Sequence, residues 1–112
     1  MSTEIYRPTA AQTERLIKLI GRAMTQKWFT ELANAKGNIH EVAVSYYLTK
    51  SIPHVQDIFA GGSTSAEDSA LFDCLLYAAP SNGDTKSGYA NTRRELTKHM
   101  NCLEKLINEY EH

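Results

Sequence analysis

Cysteine is scarce in this sequence, long apolar runs and any excess of basic charge are missing from it, and each shortage removes a class of protein. Two cysteines, Cys74 and Cys102, cannot build a disulfide framework. Each falls in a helical apolar pattern, which predicts reduced, buried thiols with a structural role. The uninterrupted apolar runs fall far short of the roughly 20 residues a membrane span requires, so neither a transmembrane helix nor a membrane partner is expected. Residues 1 to 8 lack a basic segment leading into an apolar one, so no secretory signal is expected and the cytoplasm is the expected compartment. Net charge is −1 with a pI near 6.4, which withholds the overall positive charge that drives nonspecific nucleic-acid binding. No glycine-rich phosphate loop and no recognised nucleophile motif occurs, so no catalytic residue and no cofactor is assigned and a non-enzymatic protein is expected. Strand-like alternation and internal repeats are absent as well.

What is present is a helical pattern over a chain of 112 residues, a length suited to one domain with a single core. Thr9 to Gln12 has the form of a capping box. It opens a segment in which Leu16, Leu19, Ile20, Ala23, Met24, Trp28 and Leu32 step by three and four, ending near Gly37, with Gly21 as the expected break. Asn38 with Glu41 reads as a second capping box and Thr64 with Glu67 as a third. Between them Pro53 belongs in the first turn of a helix that starts near Ser51 and stops at Gly61-Gly62. Ala66, Ala70, Leu71, Cys74, Leu75 and Ala78 form the stripe of the next helix, which Pro80 ends. The turn formers from Pro80 to Gly88 predict a surface loop. Beyond them, a helix over roughly Tyr89 to Tyr110 spaces Leu96, Met100, Leu103, Ile107 and Tyr110 by four, three, four, three. That is the a/d spacing of a coiled-coil seam. It suits either packing on Leu16, Ile20 and Trp28 of the same chain or a homodimer contact, and the homodimer is expected. The reading is therefore an all-α, compact bundle of about five helices: a core over residues 8–79, a loop over 80–88 and a C-terminal helix over 89–112.

Residues 38 to 62 carry the most specific pattern. Val44, Ser45, Leu48, Val55 and Ile58 supply facing stripes on two short helices joined by the polar turn Thr49-Lys50-Ser51. With Ser45 as the small residue of the first helix, Leu48 closing it and Val55 locking the second, residues 38 to 78 resemble the helix-turn-helix core of the phage lambda repressor and Cro family. Thr49 stands where that family usually has glycine. A competing register puts Ala43 in the small-residue place, Tyr47 in the turn and Pro53 at the locking position. The resemblance implies a small sequence-specific regulator of a phage or mobile element that binds double-stranded DNA. Gln56 would then read adenine, Asp57 would accept from cytosine, and Ser51 is a third base contact. Thr49, Lys50 and His54 would touch phosphate or the groove edge.

Charge is uneven along the chain. Residues 1 to 56 hold seven Lys/Arg against four Asp/Glu and residues 57 to 112 hold five against nine, so an anionic partner is expected on the N-terminal half. The alternative to DNA binding is a non-enzymatic helical inhibitor or adaptor that grips a host protein through the acidic half. His99, Cys102 and Cys74 are too few for a structural zinc site, so no metal is assigned. Tyr46, Tyr47 and Trp28 suit core packing or stacking on bases.

Overall fold

The computed structural model describes residues 5–35, 37–52, 65–82 and 86–111. Among them are five helices, α1 (Ala10–Ala23), α2 (Lys27–Ala35), α3 (Gly37–Thr49), α4 (Ala66–Ala78) and α5 (Lys86–Tyr110). The expected all-α class holds. Two two-residue strands are added to it: β1 (Ile5–Tyr6) pairs antiparallel with β2 (Ser81–Asn82), placing Ile5 opposite Asn82 and Tyr6 opposite Ser81. None of the described helices is long and apolar enough to cross a membrane.

The opening capping box forms as the spacing predicts. The Gln12 amide N–H donates to Thr9 Oγ1 and the Thr9 N–H donates to Gln12 Oε1, each at 3.1 Å. Leu16, Leu19, Ile20 and Ala23 face the core. The break after α1 falls at residues 24–26 and not at Gly21. Gly21 stays helical because its missing side chain has a different use: a Cβ there would lie 3.0 Å from Cε2 of the Tyr47 ring. The true break is held by Gln26, which is buried. Its Nε2 donates to the Ile107 carbonyl at 2.9 Å and its Oε1 accepts from Trp28 Nε1. That corner turns Trp28, Phe29 and Leu32 of α2 into the core.

Helix α3 buries Ile39, Val42, Ala43 and Tyr46, an i, i+3, i+4, i+7 stripe. This is rotated from the expected one. Val44 and Ser45 are half-buried and Leu48 is 71% exposed. Asn38 lies inside the helix and not at its cap. For α4 the cap is Ser65, whose Oγ accepts from the Asp68 N–H at 3.2 Å, one residue beyond the expected Thr64. The interval after Pro80 is shorter than the expected loop, since 81–82 pair as β2 and α5 begins at Lys86.

The long helix α5 packs principally on α4 and then on α1. Leu96, Leu103 and Ile107 are 0% exposed and Met100 is 1% exposed within the single chain. The assignment of these four to a dimer contact is therefore corrected: the spacing that suits a coiled coil serves the chain's own core, and the side chains offer nothing to a second copy. Tyr110, the fifth, is exposed and donates to Glu67 Oε1 at 2.6 Å, tying the end of α5 to the start of α4. Cys74 is buried as expected, but Cys102 is exposed on the outer face of α5.

Removal of the fully buried Leu103 side chain leaves a cavity in the core that α5 packs on. Leu103→Ala is expected to lose about 2–5 kcal/mol in urea unfolding, and Leu103→Glu to lose the cooperative transition altogether. A folded, monomeric Leu103→Glu protein by circular dichroism and light scattering would contradict this placement of the helix.

Candidate functional site

The N-terminal segment is pinned across the ends of α4 and α5 by one side chain. Tyr6 is 1% exposed and its hydroxyl donates to the Tyr77 carbonyl at 2.7 Å, satisfying one of the last carbonyls of α4, which has no partner within the helix. Its ring lies 5.8 Å from that of Tyr89, and the Arg93 guanidinium sits 5.8 Å over its face. Burial pushes the Tyr6 phenol up to about 12, against the opposing pull of Arg93. Arg93 Nε in turn donates to the Arg7 carbonyl at 3.0 Å.

These bonds assemble cations that lie far apart in sequence. Gln12, already fixed by the capping box, donates through Nε2 to the Arg93 carbonyl at 2.7 Å and to Thr97 Oγ1 at 2.8 Å, drawing the start of α1 onto α5. An open groove of about 460 Å³ runs there, lined by Gln12, Arg93, Arg94, Thr97, Lys98 and Asn101. Arg7 continues the same surface toward the end of α3, where Arg7 and Lys50 line one pocket. Arg93, Arg94 and Lys98 on the groove and Arg7 and Lys50 on the pocket, the two linked by the hydrogen bond from Arg93 to the Arg7 carbonyl, are taken together as a basic strip interleaved with hydroxyl and amide side chains. Beside it, Glu14 Oε1 is 3.3 Å from Lys50 Nζ. Farther along α1 the two arginines are paired: Arg15 meets Glu104 at 3.2 Å and Arg22 meets Glu111 at 2.7 Å.

The expected DNA contacts divide into two groups. Thr49, Lys50 and Ser51 are exposed at the end of α3. His54, Gln56 and Asp57, together with Pro53, Val55 and Ile58, lie outside the described residues. The turn after α3 is closed by Thr49, whose Oγ1 donates to the Ser45 carbonyl at 2.8 Å, and by the Lys50 N–H donating to the Tyr46 carbonyl at 2.8 Å. Lys50 has φ of 61°, the left-handed backbone that glycine adopts most readily. That position is one residue past Thr49 and three past Tyr47, so it matches neither register of the resemblance. Leu48, the residue expected to close the first helix on its partner, is exposed.

Arg7, Arg93, Arg94, Lys98 and Gln12 were not legible as a site by counting charge in halves, because three of the five sit in the half with acidic excess. A usable signal was present in the steps of four that put Arg93, Thr97 and Asn101 on one line of α5 and Arg94 and Lys98 on the next. Elsewhere, His99 lies between Asp73 and Glu95, at 3.7 and 3.8 Å, and stacks on Tyr77 at 5.1 Å. Burial pushes the Cys74 thiol well above its ordinary range. Among the described residues no group of three or more His, Cys, Asp or Glu side chains is placed to hold a metal ion.

No protein-family model matches the chain, and comparison with curated proteins and with solved structures finds no match.

Alkaline titration tests the Tyr6 anchor. A phenol raised above its ordinary value near 10 must stay neutral in the folded state, so its contribution is complete below about pH 10 and is lost as pH rises from about 10 to 12. Urea unfolding across that window is expected to show falling stability in the native protein and a shallower fall in Tyr6→Phe. At neutral pH the variant should be weaker by about 1 kcal/mol for the lost hydrogen bond. An equally steep alkaline fall in both proteins would remove Tyr6 from this role.

Proposed function

We propose that the protein is a small DNA-binding regulator that meets the duplex backbone with the strip formed by Lys50, Arg7, Arg93, Arg94 and Lys98. The observation that carries this reading is the set of five cations and several neutral donors that line a groove and a pocket linked by the Arg93–Arg7 hydrogen bond, in a chain whose net charge is −1. Phosphate contacts are made by these residue types: Arg and Lys for charge, Gln, Ser, Thr and Asn as neutral donors. Local potential, and not net charge, governs where an anionic polymer settles. Thr49, Lys50 and Ser51 keep the phosphate-side role that the turn implies, and Gln56 remains the proposed base reader. The support comes from the strip; the rotated α3 stripe counts against a lambda-repressor-like pairing of helices.

A second reading, a helical inhibitor or adaptor of a host protein, is favoured by Leu48 and Tyr47, which are 71% and 38% exposed on α3. Large apolar side chains in the open are a common mark of protein contacts.

Fluorescence anisotropy with a labelled random duplex separates the two. Five phosphate contacts give a log–log salt slope of about −4 to −5, so affinity should fall by roughly two to three orders of magnitude between about 50 and 200 mM salt. The double variant Arg94→Ala, Lys98→Ala should weaken binding to every sequence and reduce the slope by about two. Gln56→Ala should instead change sequence preference. Absence of salt-dependent binding at low salt would overturn the DNA reading in favour of the adaptor.

A further inference from the structure

Below the strip, a pocket of about 110 Å³ opens between the N-terminal segment, α1, the turn after α3 and the end of α4. Arg7, Thr13, Tyr46, Lys50 and Ser51 line it, with Ile52 and Pro80 among its apolar walls. The space exceeds what one water needs, about 10–15 Å³ on the same measure, and suits a ligand of a few heavy atoms. Tyr46 is 2% exposed, and its hydroxyl has no hydrogen-bond partner among the described residues. The neighbouring Thr13 hydroxyl gives its own proton to the Thr9 carbonyl at 3.1 Å, so it has none left to donate to Tyr46. A buried hydroxyl left unpaired is destabilising, and native structures keep few of them. The Arg7 side chain makes no ion pair among the described residues, whereas Lys50 shares its charge with Glu14. The left-handed backbone at Lys50 brings Lys50, Ser51 and Ile52 to one wall of this cavity.

We propose that this pocket binds a phosphoryl oxyanion, held by the Arg7 guanidinium and the Lys50 ammonium, with the Tyr46 and Ser51 hydroxyls as neutral donors. Two cations supply the charge, and the donors match an acceptor-only ligand. The apolar remainder of the wall limits the site to a small group. The occupant is either a backbone phosphate of a bound nucleic acid or a free phosphate, and the site stands on its own geometry whichever of the two it is.

The test is titration of inorganic phosphate into the full chain at constant ionic strength, with chloride as control, followed by amide chemical shifts of residues 50–52. Saturable, phosphate-specific shifts are expected, with dissociation in the roughly millimolar range. Arg7→Ala and Tyr46→Phe should each weaken binding by about tenfold, as expected for loss of a hydrogen bond to a charged group. Tyr46→Phe keeps the ring and should fold at least as well as the native chain, so loss of binding in it is not loss of structure. Shifts no larger than those with chloride, or native affinity in both variants, would overturn the proposal. Competition between phosphate and a duplex assigns the site to a backbone phosphate; phosphate binding that a duplex does not disturb, or that persists where duplex binding fails, assigns it to the free anion.

Discussion

A helix of 25 residues whose Leu96, Met100, Leu103 and Ile107 side chains all lie inside the core has little freedom to rotate or slide. Burying side chains of this size contributes about 1.5–3 kcal/mol each. Turning α5 by one residue would therefore expose most of that gain and carry charged neighbours inward. The packing of α5 on α4 and α1 sets the position of every outward residue on it, including Arg93, Arg94, Thr97 and Lys98 at one end and Glu104 at the other.

From that register the electrostatics follow. Along the α1–α5 boundary, Arg15 and Arg22 reach Asn101, Glu104, Asn108 and Glu111, so the lower half of the boundary is nearly neutral. Exposed pairs of this kind contribute little stability, typically under about 1 kcal/mol each. Their effect is on the pattern of charge: they leave the other end, around Gln12, as the place where α5 cations have no carboxylate among the described residues within pairing distance. Gln12 acts at both levels, because one side chain completes the cap of α1 and bonds to Arg93 and Thr97 of α5. Local helix chemistry and the tertiary placement of the strip therefore depend on the same amide.

Much of the helical framework was readable from spacing and caps, and the failures share a physical cause. The Thr9–Gln12 box and the α1 and α5 stripes are written in residues of strongly contrasting polarity, so one face stands out. In α3 the contrast is weak: Ile39, Val42, Ala43, Val44, Tyr46, Tyr47 and Leu48 leave several apolar faces to choose from. The helix chose the face with Tyr46 because α1 and α4 lie there, which no local pattern states. The α5 seam was seen, but its partner was not, since four-three spacing is the same for a helix buried in its own domain and one buried against a copy. Gly21 suggests a helix break by residue type, while the structure sets it against a ring contributed by Tyr47, 26 positions away. The strip was hidden for a similar reason, since it joins residue 7 to residue 50 and to residues 93–98 only after Tyr6 has been anchored on Tyr77.

The position of Lys50 draws these threads together. A non-glycine residue in left-handed backbone carries a cost of roughly 1–2 kcal/mol, and such residues persist where the surroundings over-determine them. Here the surroundings are the Thr49 hydroxyl bond to Ser45, the Lys50 N–H bond to Tyr46 and the contact with Glu14. Glycine at this position would relieve the backbone and lose the ammonium, so the lysine is better explained by its charge than by the turn. That charge stands at the one point shared by the exposed end of α3, the pocket beside Tyr46 and the basic strip. On the proposed reading, a turn residue with this conformation, placed between the basic strip and the cavity, is where the fold would trade local backbone comfort for anion binding.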